Sequence, residues 1–137
     1  MNFRDISRWV GIAAAVATVL ALGAPYAIIS GEAAASHLAD YYASGVVGAG
    51  GVALFALLSA VVIASVERGN LDPGALAGAA VVLGVATSLS AATWALAIEP
   101  SPLFRDNLWL VWHPRAVVAL SLPIPVAAAA YARQLLA

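Results

Sequence analysis

The sequence predicts an all-α integral membrane protein, a four-helix bundle of up-down antiparallel topology. Three observations predict it. Of 137 residues, 64% are hydrophobic and only 9% charged, whereas a soluble domain carries about 25% charged residues. A water-exposed surface cannot be assembled from so few charges. The mean hydropathy is +0.96. The apolar residues also fall into four runs, each near the ~20 residues that cross ~30 Å of hydrocarbon. At this length the expectation is one transmembrane domain, residues 1–137.

The first span runs from about Trp9 to Ile29. Its arginine-first, apolar-next order resembles a signal peptide. The run is too long for an h-region, and Pro25 directly follows the candidate cleavage site Gly23-Ala24, so the segment is expected to stay as a helix. The second span runs from about Gly45 to Val66 and the third from about Gly74 to Ile98. Between them lies "ERGNLDPG", a short turn in which Asp72 is placed to cap the next helix and Pro73 to occupy its first position. The fourth span, about Ala116 to Tyr131, is the shortest. The connection ahead of it, "NLWLVWH", spaces Leu108, Trp109, Val111 and Trp112 as a short interfacial helix lying flat before the chain turns inward at Pro114.

Four spans put both termini and the middle turn on one side. Arg4, Arg8, Arg68 and Arg133 fall there, against Arg105 and Arg115 on the other. Because basic residues favour cytoplasmic loops, the expected location is the cell membrane with both termini cytoplasmic. Tyr26, Tyr41, Tyr42, Trp94, Trp109 and Trp112 then gather at the outer interface, and Trp9 and Tyr131 at the inner one.

Lipid gives helices no hydrophobic reason to associate, so small residues that allow close backbone approach supply the packing. The third span carries Gly74 and Gly78 as a GxxxG, then Ala80, Gly84, Ser88 and Ala92 at four-residue spacing; the second carries Gly45 and Ala49. The partner of the third-span ladder is either the second span, its hairpin neighbour, or a second copy of the chain. Pro123 and Pro125 are expected to kink the fourth span, since each lacks an N–H and opposes a carbonyl of the preceding turn, with Ser121 placed to help.

No ionisable residue lies in the middle of any span, which argues against pumps and ion-coupled transporters. Interior polarity is supplied by hydroxyls, among them Thr18, Ser59, Thr87, Ser88, Ser90, Thr93 and Ser121, which more often bond to their own backbone than line a pore. Zero cysteines exclude disulfides, thiolate metal sites and cysteine nucleophiles. A net charge of −1 argues against nucleic-acid binding. His37 and His113 fall on the outer side with Glu32, Asp40, Glu99 and Asp106. They carry no metal-ligand spacing, and hydrogen-bonded or solvated histidines are favoured over ligands. No catalytic residue, metal ligand or cofactor is assigned. Trp109, Trp112, His113 and Arg115 are read together as an interfacial anchor, aromatics followed by an arginine at the helix mouth.

Three segments, "LALGAPYA" closing the first span, "DYYASG" entering the second, and "HPRAVVAL…PVAAAAYARQL" at the end, give the chain an outline that resembles small four-span membrane proteins of halophilic archaea. All six basic residues are arginine, a usage of the same kind. The resemblance carries no functional residues across. The expected role is a small non-enzymatic membrane protein, an accessory or structural component of a membrane assembly, with the lipid bilayer and either other membrane proteins or further copies of itself as partners. The alternative is a binding protein for a quinone, lipid or carotenoid, its pocket near the outer face between the fourth span and the hydroxyl-bearing third. A further reading is a lipid-directed enzyme using Asp40, His37 or His113, which requires those groups to converge.

Overall fold

The computed structural model describes residues 2–29, 31–99 and 102–136, without the side chains of residues 32 and 33. Seven α-helices are found among them: α1 Phe3–Ile28, α2 Glu32–Ala43, α3 Gly48–Ser65, α4 Pro73–Ala97, α5 Pro102–Asp106, α6 His113–Ser121 and α7 Pro123–Leu136. A 3₁₀ turn, Val66–Arg68, prolongs α3, and another, Leu108–Val111, precedes α6. No strand occurs among the described residues. Four stretches are long and apolar enough to cross a membrane: Phe3–Ile28, Gly48–Arg68, Pro73–Ala97 and His113–Leu136.

The four long stretches form a closed bundle in which α1 packs on α3 and α7, and α4 packs on the same two helices. Adjacent stretches are antiparallel. At the end that carries the termini, Arg4 of α1 pairs with Glu67 at 3.1 Å, and the Tyr131 hydroxyl of α7 donates to the same carboxylate at 2.9 Å. At the opposite, distal end, α2, α5 and the second 3₁₀ turn fold over the bundle, where Leu38, Tyr41, Leu103 and Leu110 are buried against α1, α3, α4 and α6.

Local chemistry sets the helix limits. Asn2 caps α1 by accepting from the Asp5 amide at 2.9 Å, and charged first turns carry the helix back to Phe3, ahead of the expected start at Trp9. Asp72 caps α4 as its position predicts, accepting from the Ala75 amide at 3.0 Å with Pro73 at the first helical position. The second long stretch starts at Gly48 and not at the expected Gly45. Both glycines adopt positive φ, +83° and +68°, so the chain turns through Gly45 and enters the helix only at Gly48. The connections expected to be loops contain α2 and α5. The fourth stretch reaches from His113 to Leu136, longer than the expected 116–131, and is interrupted at Leu122, just before Pro123.

The buried face of α4 is Ala77, Ala80, Gly84, Thr87, Ala91 and Trp94, an alternation of three and four that follows the 3.6-residue turn. A ladder of strict fours drifts off such a face by ~40° per step. Ala80 and Gly84 are therefore buried, whereas Ser88 and Ala92 lie at its border. Gly78 is exposed with open space at its side-chain position, and Gly74 meets only ordinary contacts at 3.6 Å, which removes both from close packing within the bundle. Gly84 makes a close backbone contact between two long helices: a Cβ added there would stand 2.8 Å from Pro125 Cα and 2.9 Å from its N. The close partner of this glycine is thus α7, and not the hairpin neighbour α3. Gly45 also makes a close backbone approach, from the turn ahead of α3, with its added Cβ 2.9 Å from Trp94 Cα; Ala49 is buried in the distal core.

Candidate functional site

Proline inside a helix leaves the carbonyl four residues earlier without its donor. The bundle contains such prolines in two of its long stretches. Pro125 has no N–H for the Ser121 carbonyl, and the Ser88 hydroxyl of α4 donates to that oxygen at 3.0 Å. The help expected from Ser121 itself goes elsewhere, because its hydroxyl donates to the Val118 carbonyl at 2.7 Å. Pro25 lies inside α1 and has no N–H for the Ala21 carbonyl. Nε2 of His113 stands 2.6 Å from that oxygen.

The second of these contacts organises the distal end. The Ala21 oxygen can only accept, so Nε2 carries the hydrogen. In the neutral imidazole Nδ1 then accepts, and the Tyr41 hydroxyl donates to it at 2.6 Å. Burial, and then the neighbouring Tyr42 phenol, push the Tyr41 phenol well above its ordinary range, so it remains a protonated donor. The Tyr41 carbonyl accepts from Trp94 Nε1 at 3.0 Å, and the Tyr42 hydroxyl donates to the Leu22 carbonyl at 2.5 Å. One connected set of hydrogen bonds thus joins α1, α2, α4 and α6. Aromatic rings close around it: Tyr41 meets Trp94 edge-on at 5.4 Å, and Trp94 and Trp109 meet the His113 ring at 5.9 Å each.

The structure divides the four residues read as an anchor. His113 is buried, with both ring nitrogens engaged. Trp109 is half-buried against it. Trp112 and Arg115 are exposed, with the guanidinium carbon 4.8 Å from the centroid of the Trp112 ring. Trp94 and Tyr41, expected at an interface, are core residues, and so is Tyr131 at the other end. From the sequence, Pro25 is an obstacle to cleavage. The readable signal was its position inside an apolar run, which identifies Ala21 as the carbonyl that needs a donor.

The remaining polar groups of the distal end line a cavity of about 280 Å³ between α2 and the end of α4, where His37, Asp40, Ser44 and Glu99 meet. His37 and Asp40 come together there, but His113 does not; it lies behind Tyr41. Among the described residues, no three His, Asp or Glu side chains are placed to hold a metal ion, and Glu32, considered as a ligand, has its side chain outside the described residues. The hydroxyls of Thr18, Ser59 and Thr87 donate to the carbonyls of Ala14, Phe55 and Leu83 on their own helices. Between the third and fourth stretches, α4 touches α7 at Gly84 and bonds to α6 at Ser88, so the space expected there for an apolar ligand is closed at mid-bundle and opens only toward the distal end, between the last turn of α4 and the first turn of α6.

No curated protein and no solved structure matches the chain. A family model matches residues 1–136, and the chain belongs to that family, the family of unknown function DUF7548.

Proposed function

We propose that the protein is a multi-pass membrane component with both termini cytoplasmic, acting without catalysis as an accessory or structural part of a membrane assembly. The observation that carries this reading is the use made of the interior polar groups. His113, Tyr41, Trp94, Ser88, Thr18, Ser59 and Thr87 each donate to a partner inside the bundle. Among the described residues, these interior donors are spent on partners within the fold, and a packed scaffold is what such wiring supports. The exposed surface supports association. Gly50 and Gly78 have open space at their side-chain positions, and small exposed residues allow a partner helix to approach closely.

Purification of the tagged protein from its own membranes in mild detergent, followed by mass spectrometry, tests the role. The expected result is a protein partner, or a second copy, at fixed stoichiometry. Gly50→Leu or Gly78→Leu should release it without lowering the melting temperature. A monomer carrying a stoichiometric pigment or quinone would overturn the reading. Orientation is tested separately, because the absence of cysteine gives single-cysteine variants a clean background. Ser36→Cys should react with an impermeant thiol reagent added to intact cells, and Asn70→Cys only after lysis. Labelling of Asn70→Cys in intact cells would reverse the orientation.

A further inference from the structure

A second open space at the distal end differs in kind from the polar cavity. It is a groove of about 500 Å³ between the last turn of α4 and the first turn of α6, walled by Leu96, Ile98, Phe104, Leu110 and Pro114, with Arg115 at its mouth. This volume lies within the 300–1,000 Å³ of small-molecule sites. The walls offer hydrocarbon, and the mouth offers a cation. Among the described residues Arg115 forms no ion pair; its guanidinium carbon lies 4.8 Å from the centroid of the Trp112 ring. Ring contact orients the planar fork and leaves its N–H donors unspent. The first turn of α6 adds the positive end of a helix at the same level.

We infer that this groove holds an acyl chain of a phospholipid whose phosphate rests on Arg115. Charge complementarity selects the occupant. A guanidinium with free donors matches a phosphodiester bidentately, and a phospholipid joins that anion to a chain that the apolar walls desolvate. Trp112, exposed beside the arginine, is of the residue type that favours headgroup depth. A pigment or quinone would fill the walls but leave Arg115 without a counterion. The inference does not depend on the accessory role. It rests on membrane insertion, which is tested separately by whether the protein stays with alkali-washed membranes.

The test is native mass spectrometry of the delipidated full-length protein in detergent, titrated with dioleoyl-phosphatidylglycerol. Wild type should retain one lipid ahead of any further adducts. Arg115→Gln, a surface change that leaves every hydrogen bond of the core intact, should weaken that first adduct by about tenfold or more, the range of a lost charge-assisted contact. Arg68→Gln, an exposed arginine at the other end, should not weaken it. Ala95→Phe places a ring in the groove and should remove the adduct while Arg115 is present. Dioleoylglycerol, which has the same chains and no phosphate, should not be retained. Equal retention by wild type and Arg115→Gln, or equal retention of dioleoylglycerol, would overturn the assignment.

Discussion

Replacing His113 with leucine should lower stability by about 2–4 kcal/mol, because two buried partners lose their hydrogen bonds together. The Ala21 oxygen loses its donor and the Tyr41 hydroxyl its acceptor. Hydrogen bonds between membrane helices often measure less than this, since the unfolded helices find other partners, so the lower half of the range is the firmer expectation. The sharper test is a double-mutant cycle with Pro25→Ala. Alanine at position 25 supplies the N–H that proline lacks, and Ala21 then needs no outside donor. His113→Leu should therefore cost about 1 kcal/mol less in the Pro25→Ala background than in wild type. Thermal or denaturant unfolding of the four proteins in detergent measures the difference. A coupling of zero would mean that His113 does not serve the proline-vacated carbonyl. The same cycle distinguishes a packing role for the imidazole, which leucine would partly retain in both backgrounds.

Part of this arrangement is legible in the sequence. Composition and run length locate the four long helices, with their ends off by up to six residues, and Asp72 with Pro73 sets the start of α4, because these signals are local. Which carbonyl a proline leaves unpaired is local too: Ala21 for Pro25, Ala119 for Pro123, Ser121 for Pro125. The donor is not local. His113 lies 92 residues from Ala21, and Ser88 lies 33 from Ser121. Nothing in the neighbourhood of either donor announces the pairing. The helix α2 was legible in principle, since Ala34, Leu38, Tyr41 and Tyr42 fall on one face at helical spacing. Their low apolar weight beside the spans made the segment read as a connection. The small-residue ladder lies on the buried face at Ala80 and Gly84, and Gly78 lies outside it. A ladder records where a close approach is sterically open, not which helix makes it, and only the bundle's closure brings α7 onto Gly84.

That contact sets the other large effect. Gly84→Leu should destabilise the protein by about 3 kcal/mol, the upper part of the range for overpacking. The obstacle is backbone and not side chain. The added Cβ would lie under 3 Å from Pro125 Cα and N, atoms that no rotamer change can move, so α7 itself must retreat from α4. Gly84→Ala already introduces the offending atom and should cost about 1–2 kcal/mol, despite alanine's better helix propensity. Gly78→Leu is the control, being the same substitution in the same helix with open space around it; there the propensity gain of a few tenths of a kcal/mol or more should show. Displacement of α7 would also draw the Ser121 carbonyl away from the Ser88 hydroxyl, one turn along α4. Ser88→Ala should therefore cost about 1 kcal/mol in wild type and close to nothing in Gly84→Leu. Melting temperatures in detergent that fall equally for Gly84→Leu and Gly78→Leu would place the α4 ladder against lipid. A Ser88→Ala effect unchanged by Gly84→Leu would show that the strain is absorbed without moving the two helices apart.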